Sequence, residues 1–407
     1  MKLVDLKKYK KILILGYGKE GKATEKFLKK YLPETVIGIA DQNVDPNYLD
    51  EQKKYDLAVK SPGVPKRLVT IPYSTATNIF LANINNIVIG VTGTKGKSTT
   101  ASLIYSILKT AGKKVHLVGN IGRPMLLELF KQPDKDEIFV CELSSYQLDD
   151  IRYSPHISVI TNLFPEHMNY HGSIDNYYLA KKNILKFVKP DDYYCYNPNY
   201  PLLKQWTENI KCHLLPSNRI IYFDQSANPL IGEHNLENID AATAVAKIFD
   251  ISDEIIKNAV RNFQPLPHRL QFVGKFKDIL FYDDAISTTP ESTVCAINSF
   301  QKIGTIFLGG LDRGYDFNEL SKIIIDKKIP NIVLFPDSGE KIFNLLKKVA
   351  GIKFLKTKSM EEAISFAYKN TPANTVCLLS TASPSYSLWK NFEEKGNQFQ
   401  LFVKKLC

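Results

Sequence analysis

Residues 90–100 read GVTGTKGKSTT, and this stretch decides the fold of the middle of the chain. An apolar run, NIVIGV, comes before it, and a helical pattern, ASLIYSILKTAG, follows it. A glycine-rich loop between a strand and a helix is suited to phosphate, because backbone N–H groups and the helix N-terminus point at the anion. The common pattern G-x-x-x-x-G-K-[ST] requires glycine at the position of Val91, so this loop is a variant.

The residue types in the loop indicate how it would hold a nucleotide. Gly93 and Gly96 allow the backbone to turn inward around phosphates. Lys97 supplies a positive charge for the β- and γ-phosphates, and Ser98 or Thr99 offers a hydroxyl to Mg²⁺. The sequence therefore predicts that ATP is bound by Gly93, Thr94, Lys95, Gly96, Lys97, Ser98 and Thr99.

The rest of the chain repeats the same strand-then-helix order. Short apolar runs followed by turns and helical patterns occur at 11–16, 35–41, 86–93, 138–143, 157–163, 278–284, 304–310, 331–337 and 375–381. This alternation predicts an α/β fold with mostly parallel sheets. Proline-rich stretches before 86 and near 265 predict three domains, at 1–85, 86–265 and 266–407.

Composition restricts the class of protein. The chain has 407 residues, 44% of them hydrophobic, and a formal charge of +11, which favours anionic partners. It has no run of five basic residues and no apolar run near 18 residues, so neither a nucleic-acid tail nor a membrane span is predicted. The six cysteines form no C-x-x-C pair, which indicates reduced structural thiols. We expect a monomer in the cytoplasm.

A second glycine motif lies near the N-terminus. Residues 16–21, GYGKEG, follow an apolar run, and Asp41 ends the next one. Together they match the dinucleotide fingerprint, in which an acid lies about 20 residues beyond the glycines. The physical requirement is only a tight turn and a phosphate near a helix N-terminus. NAD, another nucleotide such as UDP, and a plain glycine turn all satisfy it.

Further motifs complete a known pattern. They are GNIG (119–122), ELSSYQL (142–148), TNLFPEHMNYHGS (161–173), LAKKNIL (179–185), GEHNLEN (232–238), PHRLQ (267–271), YDDAISTTPEST (282–293), LGGLDRGYDF (308–317) and LLSTASPSYSLWKNFEEKGNQF (378–399). With the phosphate loop, they resemble the Mur ligase family over nearly the whole chain, and within it the glutamate-adding branch. The resemblance implies a Rossmann-like UDP-substrate domain, a central ATPase domain and a Rossmann-like amino-acid domain.

The resemblance also implies roles for individual residues. Lys97, Glu142, His167, Lys181 and Arg269 would be catalytic. Two Mg²⁺ ions would be held by Ser98, Glu142, His167 and Lys181, the last as a carbamate. Asn235, Asn238, Arg269 and Asp284 would join the loop in binding ATP. The UDP-sugar would contact Gly16, Tyr17, Gly18, Asp41, Ser61, Pro62, Gly63, Asn120 and His167, and glutamate would contact Thr288, Arg313, Ser383 and Ser385.

The implied activity is ATP-dependent addition of glutamate to UDP-N-acetylmuramoyl-L-alanine through an acyl phosphate. The resemblance favours D-glutamate as the amino acid. Two positions depart from the family pattern, since Ile286 and Arg313 stand where lysines are usual near the glutamate pocket. They keep an L-glutamate-adding ligase open as an alternative. A folylpolyglutamate synthase, a nucleotide-gated scaffold without turnover and an NAD dehydrogenase are further alternatives.

Overall fold

The computed structural model describes residues 1–218, 230 and 232–407. Its strands are β1 Lys11–Leu15, β2 Val36–Ala40, β3 Leu57–Lys60, β4 Tyr73–Thr75, β5 Ile87–Thr92, β6 Val115–Gly119, β7 Ile138–Glu142, β8 Ile157–Ile160, β9 Tyr193–Tyr196, β10 His213–Pro216, β11 Gln271–Phe276, β12 Ile279–Asp283, β13 Ile303–Gly309, β14 Asn331–Phe335, β15 Lys353–Lys356 and β16 Val376–Leu379.

Helices and strands mostly alternate along the described chain. They are α1 Leu3–Leu6, α2 Lys19–Tyr31, α3 Ala76–Asn83, α4 Lys97–Thr110, α5 Ser145–Leu148, α6 Met168–His171, α7 Ile174–Lys182, α8 Pro201–Gln205, α9 Glu233–Ile248, α10 Asp253–Arg261, α11 Pro290–Asn298, α12 Asn318–Asp326, α13 Ser338–Leu346, α14 Met360–Asn370 and α15 Phe392–Lys405. Short 3₁₀ helices cover Tyr48–Lys54, Lys66–Leu68, Met125–Phe130, Asn183–Leu185 and Ser385–Ser387.

The described strands form three sheets. The first has the order β2-β1-β3-β4, the second β10-β9-β8-β5-β7-β6 and the third β11-β12-β16-β13-β14-β15. Every pair in the first two sheets is parallel, and the third differs only in the antiparallel pairing of β11 with β12. The predicted α/β class with mostly parallel sheets is confirmed.

Burial on both faces explains why the strands read as unbroken apolar runs. In β5, β7 and β8 nearly every residue is buried, because helices cover both sides of the second sheet. Polar residues appear where these strands end, at Thr92, Glu142 and Thr161. The carboxyl ends of neighbouring parallel strands lie at one edge of a sheet, so these three positions are brought together.

The chain divides into two compact units. One comprises Met1–Asn228 with Leu236–Phe263, and the other comprises Pro229–Asn235 with Gln264–Cys407. The first two sheets belong to the first unit and share one apolar core, which includes Ile12, Phe80 and Phe139. In the second unit, apolar clusters cover the third sheet. The predicted domain boundaries at 85/86 and 265/266 stay predictions. Among the described helices, none is long and apolar enough to cross a bilayer.

We predict that Phe139→Ala lowers the free energy of unfolding by about 3–5 kcal/mol, measured by urea denaturation. Phe139 is fully buried in β7, where its ring centroid lies 5.7 Å from that of Phe80 and 4.9 Å from that of His116. Truncation would leave a cavity that rigid neighbouring strands cannot fill. Phe187→Ala, at a 42% exposed ring, is the control and should cost less than about 0.5 kcal/mol. Equal losses would contradict the prediction.

Candidate nucleotide and metal site

The loop at 93–96 joins β5 to α4 and has a backbone that only glycine tolerates at two positions. Gly93 has φ +142° and Gly96 has φ +79°, both in the region that disfavours side chains. A Cβ at Gly93 would lie 1.9 Å from Thr161 Oγ1, and one at Gly96 would lie 2.2 Å from Asn238 Oδ1. The two glycines are therefore required by both conformation and space.

The segment that follows β8 holds the loop in place. The Thr94 N–H donates to the Asn162 carbonyl at 2.9 Å, and the Lys95 N–H donates to Asn162 Oδ1 at 2.8 Å. The Thr94 hydroxyl accepts from the Phe164 N–H at 2.9 Å, and Thr161 Oγ1 donates to the Lys95 carbonyl at 2.6 Å. Backbone and side-chain atoms of the segment after β8 thus hold the loop in one conformation. The loop is therefore preorganised to bind phosphate.

Two lysines of the loop region have defined partners. Lys97 Nζ, in the first turn of α4, donates to the Thr94 carbonyl at 2.9 Å. Lys95 Nζ forms an ion pair with Glu166 Oε1 at 2.9 Å. Burial would raise the pKa of Glu166, but the charge and hydrogen bond of Lys95, with smaller effects of His167 and Lys97, together outweigh it and the pKa is lowered. Glu166 is therefore ionised at neutral pH and balances one of the positive charges.

Glu142, the last residue of β7, has the character of a ligand for a hard cation. Its side chain is 1% exposed, and Asn120 Nδ2 donates to Oε1 at 2.8 Å. The other oxygen, Oε2, accepts a hydrogen bond from no residue that the structure describes. A buried carboxylate oxygen without a donor is costly in a fold, and Mg²⁺ prefers such oxygens. The predicted metal site fits the residues present.

Lys181, on α7, lies against the same loop. It is 1% exposed, its Nζ donates to the Gly93 carbonyl at 2.6 Å, and it sits 4.7 Å from the centroid of the Tyr177 ring. Burial, and then the nearby charge of Lys97, lower the pKa of Lys181 well below its usual value. The neutral amine that carbamylation requires is thereby favoured.

His167 directly precedes α6 and has a left-handed backbone conformation with φ 57°. Its Nε2 lies 3.7 Å from Glu166 Oε2. Burial lowers the pKa of His167, and the charges of Lys181 and Lys97 add to that effect, while Glu166 opposes it. A neutral imidazole keeps a lone pair for a ligand. His171, four residues on, is buried and within 3.1 Å of Ser145 Oγ, which is a structural contact.

Tyr177 is a site residue that sequence reasoning missed. It is fully buried, its hydroxyl donates to Thr94 Oγ1 at 3.1 Å, and its ring lies beneath Lys181. Its ring centroid is 5.9 Å from that of His167. Tyr177 precedes Lys181 by four residues, so helical spacing could have placed both on one face. Glu166 and Asn162 were missed for a different reason, since their partners are distant in sequence.

Four of the predicted UDP-sugar residues, Gly16, Tyr17, Asp41 and Ser61, lie together at the first glycine motif. Gly16 has φ +87°, and its carbonyl accepts from the Ser61 hydroxyl at 2.7 Å. The Tyr17 N–H donates to Asp41 Oδ2 at 2.5 Å, and this bond and another from Asn43 lower the pKa of Asp41. The loop, the acid and the start of the 61–63 turn therefore form one hydrogen-bonded group. The carbonyl of Pro62 accepts from a tyrosine of α6, and a Cβ at Gly18 or Gly63 would meet nothing within 4 Å.

Two asparagines on α9 were predicted to contact ATP. Asn238 is buried, and its Oδ1 accepts from Thr100 Oγ1 at 3.1 Å, directly beside Gly96. Asn238 therefore supports the beginning of α4. Asn235 lies one turn earlier on α9 and is also buried. A contact of either amide with adenine stays a prediction.

In the second unit, Asp284 lies in a buried polar network. It accepts from the Leu270 N–H at 3.2 Å and from Ser380 Oγ at 2.8 Å. Burial raises the pKa of Asp284 to about 6, although the charge of half-buried Arg269 acts in the opposite direction. Arg269 and Asp284 are thus close enough to interact, as their shared predicted role requires.

The predicted glutamate residues have different surroundings. Ser383 is fully buried and its hydroxyl lies 2.6 Å from that of Ser338. Ser385 is 3% exposed, and its Oγ has no hydrogen-bond partner among the described residues. Thr288 is half-buried and Arg313 is exposed. Their binding role stays a prediction.

Comparison with known proteins identifies the family. The model of the Mur ligase middle domain matches residues 91–228. A UDP-N-acetylmuramoylalanine–D-glutamate ligase of Streptococcus pyogenes is 33% identical over 98% of this chain and 98% of its own length. The same enzyme of Streptococcus thermophilus is 33% identical over 100% of both chains.

The chain belongs to the Mur ligase family. Solved structures share the fold. The MurF ligase of Thermotoga maritima in complex with ADP superposes with a TM-score of 0.66 at 16% identity, covering 97% of this chain and 95% of that one. The UDP-N-acetylmuramate–alanine ligase MurC of the same organism has a TM-score of 0.64 at 16% identity, covering 98% of this chain and 100% of that one.

We predict that Tyr177→Phe weakens ATP binding to this Mur ligase about threefold to tenfold, measured by titration with a fluorescent ATP analogue. The change removes only the hydroxyl that fixes Thr94, and a hydrogen bond of this kind contributes about 0.5–1.5 kcal/mol. Tyr178→Phe, at the neighbouring half-buried position, is the matched control and should leave affinity unchanged. The role assigned to Tyr177 is wrong if both variants bind the analogue as the wild type does.

Proposed function

We propose that this Mur ligase uses ATP to join D-glutamate to the carboxyl group of UDP-N-acetylmuramoyl-L-alanine, a step in peptidoglycan precursor synthesis. The observation that carries the proposal is the convergence of Glu142 and Lys181 on the loop at 93–96. Lys181 bonds the loop directly and interacts electrostatically with both Lys97 and Glu142. Full-length similarity to D-glutamate ligases supports the choice of substrates.

The chemistry explains why such a site is needed. A free carboxylate is a poor electrophile, because attack by an amine would add negative charge to it and expel oxide. Transfer of the γ-phosphoryl group from ATP converts it to an acyl phosphate and leaves ADP. The amino group of glutamate then attacks the carbonyl carbon, the C–O bond to phosphate breaks, and the amine loses a proton. The products are the amide, ADP and phosphate.

The loop region would supply the electrostatic stabilisation. In our proposal, Lys97 and Arg269 face the negative charge of the phosphoryl group during transfer. Ser98, Glu142, His167 and carbamylated Lys181 would hold two Mg²⁺ ions. Bound Mg²⁺ neutralises phosphate and carboxylate charge and holds the reacting groups together. The neutral His167 and the unsatisfied oxygen of Glu142 suit that role.

The remaining assignments follow the three sheets. We propose that 1–85 binds the UDP-sugar, 86–265 binds ATP and 266–407 binds glutamate. Asn120 would orient Glu142 as well as meet the muramoyl part, because its amide already donates to that carboxylate. We further propose a monomer that works in the cytoplasm, where its nucleotide substrates are found.

A second candidate function differs only in the amino acid that is added, which would be L-glutamate. Ile286 and Arg313 replace the lysines that are usual near the glutamate pocket. Arginine can bind a carboxylate through two parallel hydrogen bonds, whereas lysine presents a single point charge. This change could reorient the side-chain carboxylate and favour L-glutamate. The identity with D-glutamate ligases favours the D-isomer.

Phosphate release tests the function. We expect ADP and phosphate only when ATP, Mg²⁺, UDP-N-acetylmuramoyl-L-alanine and D-glutamate are all present, and little release with L-glutamate. Lys97→Ala should lower turnover at least about 1,000-fold, because it removes a charge that faces the transition state. Lys109→Ala, at the exposed end of the same helix, is the control.

Other outcomes of the same assay would favour the other functions. Turnover with L-glutamate alone would support the second candidate function, and turnover with a folate would indicate a folylpolyglutamate synthase. No turnover with any substrate would indicate a scaffold.

Carbamylation of Lys181 has its own measurement. Wild-type protein incubated with ¹³C-bicarbonate should show a carbamate resonance by NMR, because burial lowers the pKa of Lys181 and so favours the neutral amine that reacts with CO₂. Lys181→Ala should abolish the resonance and the activity. Lys182→Ala, at the exposed neighbouring lysine, should retain both. A resonance that survives in Lys181→Ala would place the modification elsewhere.

A further inference from the structure

A buried ion pair lies between the first two sheets, away from the phosphate loop. Lys60 is the last residue of β3, and Asp150 follows α5. Lys60 Nζ lies 2.9 Å from Asp150 Oδ2, and their side chains are 0% and 5% exposed. Burying two charges is costly, and an apolar pair would often be as stable. A buried ion pair is therefore weak evidence for stability. What it does provide is a fixed position of the two residues relative to each other.

Glu20 adds a second acid to this pair. It lies in the first turn of α2, where the charges of Lys60 and Asp150 and the side chain of Gln147 act on it. Glu20 is half-buried, and desolvation of its carboxyl group raises the pKa of Glu20 to about 7, against the opposing effects of Lys60 and Gln147. Tyr73 also interacts with Asp150, and the Arg152 guanidinium lies 5.9 Å from the centroid of the Tyr73 ring. We call Glu20, Lys60 and Asp150 the buried charge cluster.

Other hydrogen bonds also join residues near the first sheet to the loops of the second sheet. Lys66 Nζ donates to the carbonyl and to Oδ1 of Asp149, at 3.2 Å and 2.9 Å. Asn78 Nδ2 donates to the Asp150 carbonyl at 2.9 Å, and the Tyr170 hydroxyl donates to the Pro62 carbonyl at 3.3 Å. The turn at 61–63 and its flanks are thus attached to residues of the second sheet's loops.

The cluster and its neighbour Gln147 lie close in sequence to residues with a predicted substrate-binding or metal-binding role. Lys60 immediately precedes Ser61, whose hydroxyl bonds the Gly16 carbonyl. Glu20 lies two residues beyond Gly18 in the first glycine motif. Gln147, which contacts Glu20, lies five residues beyond the predicted metal ligand Glu142. Glu20 and Lys60 are therefore each next to a loop with a predicted substrate role, and Gln147 links Glu20 to the segment after Glu142.

We propose that the buried charge cluster is a positioning element, which fixes the UDP-sugar loops at 16–18 and 61–63 in register with the segment after Glu142. This inference rests on the proposed function, because the ligand is UDP-N-acetylmuramoyl-L-alanine. The pyrophosphate and carboxylate of that ligand are anionic, so the charge state of the cluster affects its binding. With Glu20 protonated the cluster is neutral, and with Glu20 ionised it carries one negative charge.

Two neighbouring aspartates allow a matched comparison. Asp150→Asn keeps the shape but removes the buried partner of Lys60, and we expect the Kd of UDP-N-acetylmuramoyl-L-alanine to rise about tenfold or more in calorimetry at pH 6. The KM for ATP should change less than about twofold. Asp149→Asn, at the partly exposed pair with Lys66, is the control: its backbone carbonyl and its amide oxygen can still accept from Lys66, so both values should change less than about twofold. Equal behaviour of the two variants, or parallel loss of both ligands, would overturn the proposal.

The Glu20→Gln variant provides a second test. This variant should fold, because the folded protein already favours a neutral side chain at position 20. As pH rises from 6 to 8, wild-type Glu20 ionises through its pKa of about 7. The Kd for the UDP-sugar should then rise about threefold, whereas in Glu20→Gln it should stay constant. The free energy of unfolding of the wild type should fall as pH rises from about 4.5, where Glu20 of the unfolded chain loses its proton, to about 7, where the folded protein does, and Glu20→Gln should lack this fall. Identical pH profiles would contradict the role of Glu20.

The two proposals can fail separately. Wild-type turnover of UDP-N-acetylmuramoyl-L-alanine and D-glutamate is measured first, and its absence would contradict the proposed function. If turnover occurs and Asp150→Asn binds the UDP-sugar as Asp149→Asn does, only the positioning role fails.

Discussion

The path of the backbone at 93–96 is the constraint on which the site depends. A side chain at Gly93 would collide with Thr161, and the Gly93 carbonyl is bonded by Lys181. The same turn therefore receives a contact from the strand beside it and one from a helix more than eighty residues later. Any shift of the loop would break both contacts. The loop, the end of β8 and α7 consequently act as one rigid element.

This arrangement explains which parts of the site could be predicted from sequence. Parallel strands buried on both faces leave unbroken apolar runs, so the α/β class and the edge that carries Thr92 and Glu142 were predictable. Glycines at positive φ and a lysine at the first helical position mark the phosphate loop locally. The metal ligands, by contrast, were assigned through likeness to a family. A lone Glu142 or Lys181 has no local feature that separates it from an ordinary surface residue.

The parts that could not be predicted depend on contacts between distant segments. Nothing near Lys60 in sequence indicates that Asp150 is its partner, because burial of both residues follows only from the packing of two sheets. Asn162 supports the phosphate loop through the backbone of another strand end. Tyr177 is an intermediate case, since its spacing from Lys181 was visible but its bond to Thr94 was not. Sequence periodicity predicts faces within one element, whereas these contacts join elements.

Charge balance connects these contacts to the chemistry. Lys95, Lys97 and Lys181 converge on one loop, where Lys95 pairs with Glu166 and both Lys97 and Lys181 donate to carbonyl groups of the loop. Repulsion from Lys97 and burial favour the neutral form of Lys181. A carbamate at Lys181 would add a negative charge to this group of lysines, which offsets their mutual repulsion, and would place an oxygen ligand near Glu142. The low basicity of Lys181 and its suitability as a metal ligand therefore have the same physical origin, namely its burial beside another lysine.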